Sequence, residues 1–229
     1  MGLHLRKNTT RQRALEKREK SVPACALPID PRFRCLLDRR AWEGLPSAVC
    51  ARFSKKILGE DAAIYTGKIT EVRINTAGKA LANFLRLVGA PLPLSHDTGV
   101  ASVVTVTEDP ATRGQIWTRV YANRRGFPQV IQSAKRFSGP TGLEEYIGYG
   151  ITMALRASAD ESTITFESAG FPIMFGPWRF RLPGWLTPGN VTVKHQDLGN
   201  GHFEFSLRLV HPNFGELLYQ AGRYQDQFP

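Results

Sequence analysis

Residues 202–210 alternate apolar and polar side chains almost without interruption, and this pattern limits the folds open to the chain more than any other feature. Successive side chains of a β-strand point to opposite faces, so the alternation is typical of a strand with one buried and one solvent-facing side. The buried face would carry Phe203, Phe205, Leu207 and Leu209, and the solvent face Glu204, Ser206 and Arg208. The same alternation recurs through the last two thirds of the chain, which predicts a fold built mainly of strands.

Residues 190–196 match this pattern across a short polar turn. With a turn at residues 197–201, His195 lies opposite Phe203 and the apolar faces of the two strands coincide. His202 then falls on the other face from His195, so the two imidazoles cannot converge on one metal ion. The sequence therefore predicts an antiparallel hairpin here and no metal site.

The remaining segments predict more strands and two helices. The predicted helices are residues 33–58 and 78–88, the second of which ends before Gly89, Pro91 and Pro93. The predicted strands are residues 64–74, 100–107, 114–122, 129–137, 143–157, 162–167, 178–182, 190–196, 202–210 and 215–224. Short connections join antiparallel neighbours, and a sheet of this many twisted strands tends to curl or close. We therefore predict an α+β, mainly β fold: a large curved antiparallel sheet or partly closed barrel with two covering helices.

The charge of the chain is unevenly distributed. Half of the net charge of +10 falls in residues 1–23, which hold seven Lys or Arg and two Glu. We predict a basic, poorly ordered tail and linker over residues 1–30 and a single mainly β domain over residues 31–229. Such a tail is able to contact phosphates or an anionic membrane surface. Nucleic-acid binding is not expected, because the body of the chain has no nucleic-acid motif and no interleaved aromatic residues on which bases could stack.

The cysteines and the hydropathy pattern indicate the cellular compartment in which the protein resides. Cys25, Cys35 and Cys50 are odd in number and form no Cys-x-x-Cys pair, which is typical of free thiols in a reducing environment. No apolar run approaches the ~18 residues that a membrane-spanning helix needs. The first residues also show no apolar segment typical of a secretory signal. We therefore predict a cytoplasmic protein.

An ordered set of short motifs extends over residues 33–225. The set comprises residues 58–69, residues 87–93, Trp117-Thr118-Arg119, residues 143–148, residues 182–188, Gly201-x-Phe203-x-Phe205 and residues 212–222. Together they resemble a bacterial family, the domain of unknown function 4166 (DUF4166). Tyr146 and Ile147 stand where an Arg-Phe pair is expected, so any role of that arginine is absent here. The resemblance implies an architecture and no established reaction.

The resemblance also implies an association with oxidoreductases. Some family members are fused to NAD(P)-binding domains of the saccharopine-dehydrogenase type. The sequence contains no Gly-x-Gly-x-x-Gly motif after a strand, so this chain does not itself supply the cofactor-binding fold. An accessory module that docks on an NAD(P)-dependent oxidoreductase is therefore one hypothesis.

Charged and aromatic residues on the strands define a candidate binding site. Glu144 and Glu145 are neighbours on a strand and point to opposite faces, so one of them faces inward and pairs with Arg119 or Arg156. Strand aromatics either fill the core or line a cavity of the kind that apolar ligands occupy. The residues that we predict to line such a cavity are Trp117, Arg119, Glu145, Trp178 and Trp185.

Residues 169–178 form an apolar segment broken by glycine and proline, and we predict an exposed loop there that serves as a lid, a membrane-touching tip or a partner surface. Its candidate contact residues are Phe171, Ile173, Met174 and Phe175. The first functional hypothesis is a non-enzymatic domain that binds an apolar or amphipathic small molecule in the concavity of the sheet. The second is the accessory module, docking through this loop. The third is an enzyme that uses the inward Glu/Arg pair. No cofactor or metal is predicted, and the oligomeric state is left open.

Overall fold

The computed structural model describes residues 29–87, 92–175 and 178–226, without the side chains of Phe175 and Trp185. The predicted basic tail, apart from residues 29 and 30, lies outside these residues. The helices are α1 (Arg39–Glu43), α2 (Ser47–Phe53) and α3 (Thr76–Leu87). The strands are β1 (Ala62–Ile74), β2 (Ala101–Asp109), β3 (Gly114–Tyr121), β4 (Gln129–Arg136), β5 (Glu144–Gly148), β6 (Ile151–Asp160), β7 (Thr163–Gly170), β8 (Pro172–Phe175), β9 (Trp178–Arg181), β10 (Asn190–Gly199), β11 (His202–His211) and β12 (Gly215–Asp226).

Ten of the strands in the described part form a closed antiparallel barrel. Their order around the ring is β5-β4-β3-β2-β1-β12-β11-β10-β7-β6, and pairing of β6 with β5 closes it. Strands β8 and β9 lie outside the ring as a hairpin attached to β6. The predicted mainly β, antiparallel fold is confirmed, and the sheet closes completely.

The closure depends on a turn that the sequence prediction missed. Residues 143–157 were predicted as one strand, but the chain turns back at Gly148, Tyr149 and Gly150, so that prediction is wrong. These three residues have φ angles of 127°, 46° and 79°, a region that glycine adopts without strain. The turn separates β5 from β6 and lets them pair with each other, which joins the two halves of the sheet.

The β10–β11 hairpin forms as predicted, with a register that differs by two residues. His195 lies opposite Phe205, and Phe203 lies opposite Asp197. The turn is tighter than predicted because Asn200 and Gly201, at φ 53° and 77°, form a two-residue turn of the Asn-Gly kind. A shift of two preserves the face of every side chain. His195 is therefore buried and His202 exposed, on opposite faces of the sheet as predicted.

Short helices fill one end of the barrel, where β1 begins and β12 ends; we call it the plugged end. The helix predicted over residues 33–58 is instead two short helices, because Gly44 ends α1 and Pro46 precedes α2. Trp42 of α1 and Val49 and Phe53 of α2 join the main hydrophobic core with residues of β6, β7 and β10.

An ion-pair bridge ties α2 to the strands at the plugged end. Arg52 reaches Asp197 at the end of β10 and Asp226 at the end of β12, at 3.0 and 2.9 Å. Its guanidinium also lies over the ring of Phe203, with Cζ 4.5 Å from the ring centre. One buried arginine thus holds the ends of two strands against the helix.

Helix α3 covers the opposite end, where β1 ends and β12 begins; we call it the mouth end. Its apolar residues Ala77 and Leu81 pack against Leu217 and Leu218 at the start of β12. Gly78 allows this close approach, because a Cβ atom there would collide with the backbone carbonyl of Leu217. The sequence predicts two helices that cover the sheet. In the structure, α1 and α2 cover one end of the barrel and α3 covers the other.

Candidate functional site

A cavity of about 350 Å³ lies inside the barrel at the mouth end. Leu81, Phe84 and Leu85 of α3 form part of its wall, and inward-facing residues of β3–β6, β10 and β11 form most of the rest. Apolar side chains dominate the strand wall and include Ile131, Ile147, Met153, Val193, Leu207 and Leu209. A largely apolar cavity of this size matches the usual form of a small-molecule site.

Among the described residues that line this cavity, two are charged, Arg119 and Glu145. Both belong to a buried polar group. We call Arg119, Ser133, Lys135 and Glu145 the buried charge cluster. Glu145 accepts hydrogen bonds from the Ser133 hydroxyl at 2.6 Å and from Lys135 Nζ at 3.0 Å. Arg119 donates to Ser133 Oγ at 3.0 Å and to Glu145 Oε1 at 3.4 Å. Polar anchors therefore meet at one place in an otherwise apolar wall.

Strand register brings the cluster together. Lys135 of β4 lies directly opposite Glu145 of β5, and Ser133 of β4 lies opposite Trp117 of β3. These positions share the inward face, because each lies an even number of residues from the next along its strand. Arg119 is two residues beyond Trp117 and so reaches the same carboxylate. Contacts across three adjacent strands hold the cluster in place.

The formal charges of the cluster do not balance, because Arg119 and Lys135 face the single carboxylate of Glu145. Burial alone would raise the pKa of Glu145, but the two neighbouring cations lower it to about 2, so the group stays ionised. Burial lowers the pKa of Lys135; Glu145 opposes this effect and Arg119 reinforces it. The site is thus one in which an additional negative charge is favourable.

A second cavity of about 30 Å³ lies toward the plugged end, lined in part by Arg52 and His195. His195 stacks on Phe203 at 4.4 Å and meets the edge of Phe53 at 5.1 Å. Arg52 Nη1 and His195 Nδ1 are both buried without a hydrogen-bond partner in the described part of the chain. Burial and the charge of Arg52 lower the pKa of His195 to about 3, so the imidazole is neutral. This space admits little more than a water molecule, so the larger cavity is the candidate site.

The structure brings together only some of the residues predicted to line a cavity. Arg119 and Glu145 line the large cavity, whereas Trp117 is buried beside it and lines the small one. Trp178 lies on β9 outside the ring with 65% of its surface exposed, so it does not line the barrel. Trp185 lies in a short 3-10 turn, next to Leu186, which does line the large cavity.

The segment predicted as an exposed loop, residues 169–178, is largely strand. Its residues 172–175 form β8, and Trp178 begins β9. Phe171 is only 4% exposed and packs in the main core, because its side chain turns into the barrel. Ile173 is half-buried and Met174 is 40% exposed. The description of the whole segment as an exposed loop is therefore wrong, although part of the hairpin surface is open to solvent.

Sequence reasoning missed Ser133, Lys135 and the wall that α3 supplies. Lys135 lies at a position of β4 that faces inward in the alternating pattern, but a lysine is normally expected to face solvent. Only the register with β5 places it against Glu145. The apolar stripe of Leu81, Phe84 and Leu85 was visible as helical periodicity, whereas its position over the barrel mouth was not.

In residues 29–87, 92–175 and 178–226, no group of three or more His, Cys, Asp or Glu side chains is arranged to hold a metal ion. No helix in the same ranges is both long and apolar enough to span a bilayer.

The chain matches a family of known sequences. A family model described as "Domain of unknown function (DUF4166)" matches residues 45–224, from the connection between α1 and α2 to the last strand of the barrel. The matched range includes every residue of the buried charge cluster and all the strands of the ring except the last two residues of β12. No curated protein and no solved structure shows a significant match to the chain.

Proposed function

We propose that this chain, which belongs to the DUF4166 family, binds an amphipathic small molecule with an anionic head group inside its barrel. The observation that carries the proposal is an apolar cavity of about 350 Å³. Among the described residues that line it, the charged ones both belong to the buried charge cluster. The apolar part of the ligand would lie between the strands and α3. Its head group would lie beside Arg119.

The apolar wall supports the first half of this proposal. Burial of apolar surface contributes about 25 cal/mol per Å², so even a short alkyl chain enclosed by such a wall gains several kcal/mol. Leu81, Phe84 and Leu85 enclose the chain from one side, and the inward residues of the barrel enclose it from the others. Shape and apolarity, rather than many hydrogen bonds, would therefore provide most of the affinity.

The charge balance supports the second half. A buried charge without a counter-ion is costly. With every group in its usual charge state the cluster has one more positive than negative group, and burial together with Arg119 lowers the pKa of Lys135 accordingly. An incoming carboxylate, sulfate or phosphate would supply the missing charge and accept a charge-assisted hydrogen bond from the guanidinium of Arg119. A cationic head group would instead repel both Arg119 and Lys135. The same cluster thus selects for the sign of the ligand.

Binding fits this site better than acid–base catalysis by Glu145. A general acid needs a pKa near the working pH, whereas the pKa of Glu145 is lowered to about 2. The carboxylate is also engaged by three donors, Ser133, Lys135 and Arg119. The role of an accessory module for an oxidoreductase stays a prediction from the family resemblance.

Replacing Arg119 with Gln tests the proposed head-group contact. Wild-type protein, cleared of bound lipid on a hydrophobic resin, should bind dodecanoic acid in a calorimetric titration. Loss of a charge-assisted hydrogen bond, worth about 1.5–3 kcal/mol, should weaken this binding about 10- to 100-fold in Arg119→Gln. Methyl dodecanoate, which has no charge, should bind both proteins almost equally.

Arg156→Gln is the matched control, because Arg156 is exposed on β6 and does not line the cavity. It should bind the acid as the wild type does. Equal losses for acid and ester in Arg119→Gln would mean that the arginine maintains the cavity and not the head-group contact. Failure of the wild-type protein to bind either compound would contradict the proposed function itself.

A further inference from the structure

We propose that the mouth end of the barrel docks on the surface of an anionic lipid bilayer. This inference does not depend on the identity of the ligand. It rests on where exposed apolar side chains lie on the molecule and on the charges between them.

Strand directions define which segments lie at the mouth end. Neighbouring strands are antiparallel, so the connections at this end alternate with those at the plugged end. Helix α3 follows the end of β1, and the connections β3–β4, β5–β6 and β11–β12 lie at the same end. The end of β8 lies there too, because Met174 N donates to the carbonyl of Gly150 in the β5–β6 turn, and Trp178 of β9 pairs with Phe175 of β8. Residues 182–189 lead into the start of β10 there and contribute Leu182 and Leu186 to the cavity wall.

Exposed apolar residues are concentrated in these segments. The described part of the chain has twelve large apolar side chains that are exposed, and eight of them lie at the mouth end. Two are almost fully exposed, Leu87 at 83% and Phe127 at 93%. The eight residues are Phe84, Leu87, Phe127, Tyr149, Met174, Trp178, Leu186 and Phe214. We call this set the apolar ring, since its members come from separate segments at the mouth end of the barrel.

The charges between the members of the apolar ring are mainly positive. In helix α3 and the described connections at this end, the cations are Lys79, Arg86, Arg124 and Arg125, and the carboxylate is Asp97. At the adjoining ends of β1, β11 and β12, two further carboxylates are paired with two arginines: Glu71 and Glu216 with Arg73 and Arg208. Asp97 accepts a hydrogen bond from the backbone of Arg124. Each basic residue near an anionic leaflet adds to the attraction, which falls off over a Debye length. The charge of this end is therefore complementary to a surface of acidic lipid head groups.

A bilayer suits this surface better than a protein partner does. The apolar ring is divided among several separate segments at the mouth end, whereas a protein interface usually has one continuous core. Tryptophan, tyrosine and phenylalanine beside arginine form the composition that settles at the boundary between head groups and acyl chains. Phe84 and Leu186 belong both to the ring and to the cavity wall. An apolar ligand could therefore pass between bilayer and cavity without crossing water.

Vesicle flotation tests this inference with the full-length chain. Wild-type protein should float with vesicles of phosphatidylcholine mixed with phosphatidylserine and bind those of phosphatidylcholine alone much more weakly. Leu87→Ser/Phe127→Ser removes two exposed apolar side chains and should reduce partitioning about tenfold. Arg124→Gln/Arg125→Gln should reduce it by a similar factor, and added salt should abolish that difference.

Ile29→Ser/Leu198→Ser is the matched control, because Ile29 and Leu198 are exposed apolar residues outside the mouth end. It should float like the wild type. All variants keep the basic residues 1–23, so any binding that these residues cause is the same in each.

Undiminished flotation of both mouth-end variants would overturn the proposal. The proposal would also be overturned if the wild type did not float but self-associated in solution, and if Leu87→Ser/Phe127→Ser abolished that self-association. The apolar ring would then join two copies of the chain. Dodecanoic acid binding in solution is a separate readout, and its loss or retention does not bear on docking.

Discussion

Replacing Glu145 with Gln is expected to destabilise the protein by about 3–5 kcal/mol, as removal of one partner of a buried ion pair commonly does. The carboxylate is 7% exposed and receives donors from Ser133, Lys135 and Arg119. Its loss would leave two cations close together in the barrel without a counter-charge. The free energy of unfolding from urea titration at neutral pH measures this effect.

The companion variant Lys135→Met should cost far less, under about 1.5 kcal/mol. It leaves Glu145 paired with Arg119, so the charges balance. Lys135 Nζ lies 5.3 Å from the ring centres of both Trp117 and Phe166, an environment that a methionine sulfur also suits. Lys135→Met should in addition recover part of the stability lost in Glu145→Gln.

An exposed ion pair provides the control for these two variants. Glu204 lies 3.6 Å from Arg223 on the outer face, and Glu204→Gln should change the free energy of unfolding by less than about 1 kcal/mol. Equal losses from Glu145→Gln and Lys135→Met would contradict the charge imbalance on which the proposed ligand class depends.

The second large effect is a dependence of stability on pH that His195 causes. The pKa of His195 is lowered from 6.5 to about 3 in the folded protein, chiefly by burial. As the pH falls below 6.5, the unfolded chain binds a proton that the folded protein does not. The free energy of unfolding should therefore fall, by up to about 1.4 kcal/mol per pH unit, until the pH approaches the folded pKa.

His195→Phe should remove this slope, because phenylalanine keeps the ring contacts with Phe53 and Phe203 and does not titrate. Between about pH 7 and pH 5, the wild type should lose about 2 kcal/mol more than the variant in urea unfolding. Glu145 does not disturb this window, since its lowered pKa contributes stability that is lost only as the pH falls from 4.5 toward 2. His202→Phe, at an exposed position, should keep the wild-type slope. A slope that persists in His195→Phe would show that another group causes it.

The sequence predicts the strands well because alternation is a local property. The β10–β11 hairpin illustrates both the strength and the limit of this signal. Its buried face follows from the pattern of Phe203, Phe205 and Leu207, whereas its register depends on the backbone geometry of Asn200 and Gly201. Closure of the barrel needed the β5–β6 turn, where Tyr149 adopts a φ of 46°. A single tyrosine between two glycines did not interrupt the apolar pattern strongly enough to reveal it.

The candidate site could be predicted only in part, for a related reason. Arg119 and Glu145 stand out in the sequence as charged residues at strand positions that the alternating pattern places on the inward face. Lys135 joins them through pairing across two strand boundaries, which no local pattern contains. Trp178 has the residue type of a cavity wall, but its strand lies beyond the closed ring. Of the apolar ring, Met174 and Trp178 lie in the segment that the sequence predicted to be exposed. The rest of the ring was hidden, because its members come from segments that are far apart in sequence.

Filling the barrel with one bulky side chain tests the central claim most directly. Ile131 is 7% exposed and lines the large cavity, whereas its neighbour Val130 is 50% exposed on the outer face. Ile131→Trp should weaken dodecanoic acid binding at least about tenfold in calorimetry, because the indole occupies space that the alkyl chain needs. Leu81→Trp, from the α3 side of the cavity, should do the same, and Val130→Trp should bind like the wild type. If a folded Ile131→Trp and a folded Leu81→Trp both bound the acid with wild-type affinity, the ligand would not lie in the barrel.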